Sequence, residues 1–172
     1  MRFALVVLGC LALLGTGFAQ ESLKKRQVAP VTGAVTQAEV STVFARIERT
    51  LFRITRLNRT VSALPKSSAP ATRGQILARM VRLVDEVKGE FRFSPKRIPF
   101  DAASLTIKAP PRAQVERLIA WGFVAKTSPL VTGTTDTVTP AEFGDAIGLF
   151  IARMADLTHT PSSKWSPYMS GG

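Results

Sequence analysis

The chain has 172 residues and is strongly basic, with 23 Lys and Arg residues against 12 Asp and Glu and a formal net charge of +11. Such a surface favours an anionic partner: acidic cell-wall polymer, anionic lipid head groups or, less expectedly, nucleic acid. The only Cys, Cys10, lies near the N-terminus, where signal-peptide cleavage would remove it, so we expect neither disulfides nor thiol chemistry in the mature chain.

Residues 1–19 have the pattern of a secretory signal peptide. A positive start at Arg2 precedes an apolar run over Phe3–Leu14 and a small-residue cleavage site ending at Ala19. Because the run is shorter than the roughly 20 residues that span a bilayer, we expect cleavage and export rather than an uncleaved anchor. A lipoprotein signal at Cys10 is disfavoured, since the apolar run continues beyond that residue. Cleavage leaves about 150 residues, enough for one compact domain.

After a flexible basic leader over residues 20–34, the first predicted helix runs from Thr36 to about Leu57. Its apolar residues recur at steps of three and four, which predicts one buried face: Val40, Val43, Phe44, Ile47, Leu51 and Ile54. Four arginines occupy the opposite face and form what we call the arginine ridge: Arg46, Arg49, Arg53 and Arg56. A solvated face, an anion-binding face and a membrane-surface helix over residues 37–59 are the three interpretations of this pattern.

A Pro-containing linker over residues 62–71 leads to a second predicted helix, from Thr72 to about Lys88 with Gly89 as its stop. The stretch 91–107 predicts a loop with at most a short extended segment, because Pro95 and Pro99 interrupt it. A third helix begins at Pro110-Pro111 and ends at Gly122.

A turn-rich loop over residues 127–137 precedes a last helix, from Thr139 to about Leu157. The buried face of this helix is predicted to be Phe143, Ile147, Phe150, Ile151 and Met154. From residue 158 to 172 the chain is polar and rich in Pro, Ser and Gly, which predicts a disordered tail.

A short sequence motif, which we call the repeated phrase, begins three of these helices. In each copy a Thr is followed three residues later by Glu or Gln, the signature of a helix capping box. The pairs are Thr36 with Glu39, Thr72 with Gln75, and Thr139 with Glu142. Three boxes with similar flanks predict a repeated helical module and an all-α small bundle over residues 35–157.

The order of parts over residues 100–157 resembles the S-layer homology (SLH) module. The resemblance rests on Phe100-Asp101, on Leu118-Ile119-Ala120-Trp121-Gly122-Phe123-Val124, and on Thr139-Pro140-Ala141-Glu142-Phe143. Residues 35–60 and 71–90 look like parts of two further units. The resemblance implies helix–loop–helix units that hold an exported bacterial protein on the cell envelope by binding anionic cell-wall polysaccharide.

In the SLH family an Arg of the box helps to bind a sugar carboxylate. Only Arg73 occupies that position here, since Gln37 and Pro140 stand in the other two copies. The resemblance therefore implies a ligand site at Arg73, with its neighbours Thr72 and Gln75. A guanidinium beside a helix N-terminus suits a carboxylate. Trp121 is interpreted either as a core residue or as a platform on which a sugar ring stacks.

The residues give no sign of an enzyme, a cofactor or a metal. His159 lies in the predicted tail without a partner of fixed spacing, and no phosphate-binding loop occurs. The expected function is thus non-catalytic binding of anionic cell-wall polymer at the envelope. One alternative is a structural or interaction subunit that binds envelope proteins and has lost sugar binding. The other is a basic helix that binds anionic lipid.

Overall fold

The structure is a computed structural model that describes residues 33–61, 67–107 and 109–160. The chain is mainly helical, as predicted: the described part contains five α-helices and no strand. They are α1 (Gln37–Thr55), α2 (Arg73–Val87), α3 (Arg112–Ala120), α4 (Pro129–Thr132) and α5 (Pro140–Leu157). The predicted signal peptide, nearly all of the leader, and the tail beyond Thr160 lie outside the described residues.

The predicted apolar faces of the long helices form one core. α2 lies at its centre, in contact with α1, α3 and α4. Three aromatic side chains without solvent exposure join α1, the segment after α3, and α5. These are Phe44, Phe123 and Phe150, with ring centroids 6.4 Å apart for Phe44–Phe150 and 5.4 Å apart for Phe123–Phe150. Full burial of each such side chain is worth roughly 1.5–3 kcal/mol, so this core is the main source of stability.

Three local predictions were wrong. Gly89 does not end α2 in a left-handed cap, because the helix tightens into a 3₁₀ turn over Lys88–Glu90. The loop over residues 127–137 contains α4, which Ser128 caps through its side chain. The predicted tail begins too early, since Thr158 is buried and its hydroxyl donates to the Met154 carbonyl at 2.7 Å.

The stretch over residues 91–107 forms a loop, as predicted, with a 3₁₀ turn over Ala102–Ser104. Gly122 ends α3 with φ of +78°, a conformation that suits glycine. In the part of the chain that the structure describes, no helix is long and apolar enough to cross a membrane.

Candidate functional site

All three capping boxes form. In each one the threonine Oγ1 accepts the N–H of the third helical residue, and that residue's side chain accepts the threonine N–H. The second of these bonds measures 2.8 Å for Thr36–Glu39, 2.9 Å for Thr72–Gln75 and 2.8 Å for Thr139–Glu142. The pKa of Glu39 is lowered by two hydrogen bonds that its carboxylate accepts. The bond from the Thr36 backbone N–H has the larger effect, and the bond from the Thr36 hydroxyl has the smaller one.

The residues that precede the three threonines meet one another, and we call this meeting point the cap junction. The Val35 N–H donates to the Val138 carbonyl at 2.8 Å, and the Ala71 N–H donates to the Val35 carbonyl at 2.8 Å. An antiparallel bridge between Thr72 and Thr137 brings the second and third segments together. Since all three preceding residues are buried, the repeated phrase unites the starts of α1, α2 and α5.

Arg73, the first residue of α2, points into the protein at this junction. Its side chain is only 6% exposed. Nη1 donates to Thr106 Oγ1 at 3.0 Å and lies 3.5 Å from the Pro129 carbonyl. Nη2 lies 3.8 Å from the carboxylate of Asp136, which is 85% exposed, and a pair so long and so solvated is weak. Nε has no hydrogen-bond partner among the described residues.

The three predicted ligand residues at the start of α2 are therefore adjacent but already engaged. Thr72 and Gln75 bond to each other in the box, and the Arg73 guanidinium lies beneath the loop that joins α4 to α5. The ligand-binding role that the resemblance implies for them stays a prediction.

The arginine ridge has the opposite environment. Arg46, Arg49 and Arg53 are exposed along α1, as the helical spacing predicts, and Arg56 is exposed just beyond it, at the left-handed C-cap. With a rise of 1.5 Å per residue, the helical part of the ridge from Arg46 to Arg53 spans about 10 Å. Within the described residues, the side chains of Arg49, Arg53 and Arg56 have no hydrogen bond or ion pair with a carboxylate.

The acidic residue within the ridge sequence does not lie on the ridge. Glu48 is buried, and its carboxylate interacts electrostatically with Arg79 and Arg82 of α2. Burial lowers the pKa of Arg79, and Glu48 opposes that shift. Glu48 thus acts between the two helices and leaves the exposed face of α1 positive.

Trp121, the residue that caps the end of α3, lies at the edge of the core. The Arg117 guanidinium lies over its ring at 5.5 Å, and Phe91 contacts it edge-on at 6.4 Å. The ring also lines an open groove of about 580 Å³ between α3 and residues 97–100. This position at the rim is compatible with both interpretations of Trp121, a core residue and a platform on which a sugar ring stacks.

Sequence reasoning missed the exposed side chains of the loop after α2. Phe93 is 55% exposed and Ile98 is 46% exposed. A signal was present, because Phe91 to Phe100 alternates aromatic, proline and basic residues and contains no Asp or Glu. The sequence predicted a loop here, but which of its aromatic residues would be exposed does not follow from that prediction.

His159 is exposed and contacts the Phe93 ring edge-on at 5.8 Å. No group of three His, Cys, Asp or Glu residues that could hold a metal occurs within residues 33–61, 67–107 and 109–160.

A comparison of the chain with protein-family models, with curated proteins and with solved structures found no match.

Proposed function

We propose that this protein is a non-catalytic component of the bacterial cell envelope that binds anionic cell-wall polysaccharide through the arginine ridge. The observation that carries the proposal is the row of three exposed arginines on one face of α1, continued by Arg56 at its C-cap, from which Glu48 is withdrawn. Guanidinium groups bind carboxylates and phosphates in a bidentate manner, so a row of them matches a polymer with repeated negative groups.

The remaining surface supports the same proposal. The chain carries a formal charge of +11, and removal of a signal peptide containing Arg2 would lower it by only one. A long-range positive field of this kind accelerates association with a polyanion and makes binding sensitive to salt.

The test is retention of the mature chain on purified cell-wall sacculi over a series of salt concentrations. The proposal expects retention at low salt and release as the salt screens the charges. Absence of retention at low salt would contradict it. A double variant of Lys96→Gln and Arg97→Gln serves as a matched charge control, because both residues are exposed, have no ion pair among the described residues and lie in the loop after α2 instead of on α1.

Export is a separate part of the proposal. Expression of the full chain in bacteria, followed by cell fractionation and N-terminal sequencing, tests it. We expect the protein in the extracytoplasmic fraction with Gln20 as its first residue. Recovery in the cytoplasm with residues 1–19 intact would contradict export while leaving the polymer-binding proposal open to its own test.

A second candidate function is an interaction subunit that binds envelope proteins rather than sugar. The burial of Arg73 favours it, because the guanidinium that the SLH resemblance assigns to a sugar carboxylate has internal partners. Retention on sacculi stripped of anionic polymer but still carrying envelope proteins would support this candidate. Retention that requires the polymer would contradict it.

A further inference from the structure

A second surface of the protein combines exposed apolar and basic side chains, and we call it the basic–aromatic strap. It comprises residues 91–100, which connect the end of α2 to the turn before α3. The strap holds three exposed cations and no carboxylate: Arg92, Lys96 and Arg97. None of the three has a side-chain hydrogen bond or ion pair with another described residue.

The strap is held in place at both ends. Phe91 points inward and packs on Phe123, with ring centroids 6.0 Å apart. The Arg92 N–H donates to the Leu157 carbonyl at the end of α5, at 2.7 Å. The Ile98 N–H donates to the Ala120 carbonyl at the end of α3, at 2.8 Å. Because the backbone is fixed at these points, the exposure of Phe93 and Ile98 is a property of the fold.

These two side chains lie at one end of the bundle. Phe93 contacts His159 just after α5, and Ile98 lies against Gly122 just after α3. Arg153 joins the two helix ends, since its Nε donates to the Trp121 carbonyl at 2.8 Å. Five extended residues reach at most about 18 Å, so the backbone positions of Phe93 and Ile98 lie within about that distance of each other.

Exposure of large apolar side chains is concentrated there. Across residues 33–61, 67–107 and 109–160, three large hydrophobic residues are exposed, and the third is Leu149 on α5, 39% exposed. A soluble polyanion offers the strap its charge but no apolar phase for Phe93 and Ile98. An anionic lipid surface offers both, because head-group phosphates attract the cations and the acyl boundary accepts the apolar side chains.

We propose that the basic–aromatic strap docks on an anionic lipid surface, with Phe93 and Ile98 inserted at the acyl boundary and Arg92, Lys96 and Arg97 on the head groups. This surface is separate from the arginine ridge and acts independently of it. The strap would bring the protein to the membrane face of the envelope, whereas the ridge binds wall polymer.

The test is co-sedimentation of the mature chain with phosphatidylglycerol–phosphatidylcholine vesicles, with pure phosphatidylcholine vesicles as the reference. A double variant of Phe93→Ser and Ile98→Ser removes the apolar contact and should weaken binding at least about tenfold. Leu149→Ser is the matched control, because it removes an exposed apolar residue elsewhere and should bind like the wild type. Circular dichroism checks that each variant is folded.

The charges of the strap provide a second arm. Each basic residue at an anionic membrane surface is worth about 1 kcal/mol, so Lys96→Gln with Arg97→Gln should weaken binding about thirtyfold. The ridge pair Arg49→Gln with Arg53→Gln removes the same charge and should leave vesicle binding unchanged. Sacculus retention, measured in parallel, should be unaffected by all strap variants, so the two proposals can fail separately. Wild-type vesicle binding by both strap variants, or equal losses in the control variants, would overturn the proposal.

Discussion

Arg73 and the arginine ridge differ in almost every physical respect, although both lie on the first helices of the same bundle. The Arg73 side chain is 6% exposed and bonds to Thr106, while the ridge arginines face solvent along α1. The resemblance to SLH modules selects Arg73 as the ligand residue. The charge pattern instead selects the ridge as the surface for an anionic ligand.

The repeated phrase lies in the packed interior, whereas the positive charge of the ridge faces solvent. The phrase brings three helix starts together at the cap junction, with Val35, Ala71 and Val138 buried at its centre. The ridge contributes little to that packing, and the side chains of Arg49, Arg53 and Arg56 remain available to a partner. We therefore assign stability to the junction and propose the ridge as the surface for polymer binding.

The largest expected effect is on stability at the junction. Arg73→Ala removes a buried charged donor and leaves space beneath the loop between α4 and α5. It should lower the free energy of unfolding by roughly 3 kcal/mol. Urea denaturation followed by circular dichroism measures this change. Wild-type stability would show that the guanidinium is not held by the contacts described. It would contradict the assignment of stability to the cap junction.

The ridge should respond in the opposite way. Arg49→Gln combined with Arg53→Gln should change the free energy of unfolding by less than about 0.5 kcal/mol, because both side chains are exposed. Affinity for a model polyanion, polygalacturonate, should fall about tenfold, equivalent to about 1.4 kcal/mol. Isothermal titration calorimetry provides the measurement. The pair Lys96→Gln with Arg97→Gln is the control, because it removes two exposed, unpaired cations outside α1, and an equal loss there would mean that net charge alone governs binding.

The capping boxes allow the junction to be tested one helix at a time. Thr36→Ala, Thr72→Ala and Thr139→Ala each remove one cap and should each cost about 1 kcal/mol. Thr42→Ala is the matched control, because Thr42 is exposed within α1 and its hydroxyl donates to the Ala38 carbonyl. Thermal or urea unfolding gives the values. A cost at Thr42 equal to that at the caps would contradict the role of the boxes.

The smallest effect is the acid sensitivity of the first box. Since the pKa of Glu39 is lowered from its ordinary 4.5, its stabilising contribution is complete above pH 4.5. That contribution disappears as the pH falls through the lowered value. Glu39→Gln keeps an acceptor, as Gln75 does in the second box, but cannot titrate. The variant should therefore lose less stability than the wild type between pH 5 and pH 3, measured by urea unfolding. Parallel curves for the two proteins would contradict this account.

The helices could be predicted from the sequence because their signals are local. Each capping box lies within four residues, and the apolar spacing of α1 and α5 repeats along one segment. The short α4 was missed, since four residues leave no periodicity to detect. Gly89 was misassigned because Lys88–Glu90 continues in a 3₁₀ turn instead of adopting a left-handed cap.

The environment of the site residues could not be predicted in the same way. Arg73 is buried by Thr106 and Pro129, which lie 33 and 56 residues away in the sequence. The exposure of Phe93 and Ile98 depends on backbone hydrogen bonds to the ends of α5 and α3. Contacts of this range are set by tertiary packing, on which local patterns carry no information.

The most direct test of the separation of roles is the dissociation constant for purified sacculi of two variants measured side by side. These are Arg73→Ala and the double variant Arg49→Gln with Arg53→Gln, at a temperature where circular dichroism shows both to be folded. We predict that Arg73→Ala binds like the wild type and that the ridge variant binds about tenfold more weakly. Loss of binding in Arg73→Ala with full binding by the ridge variant would contradict the account.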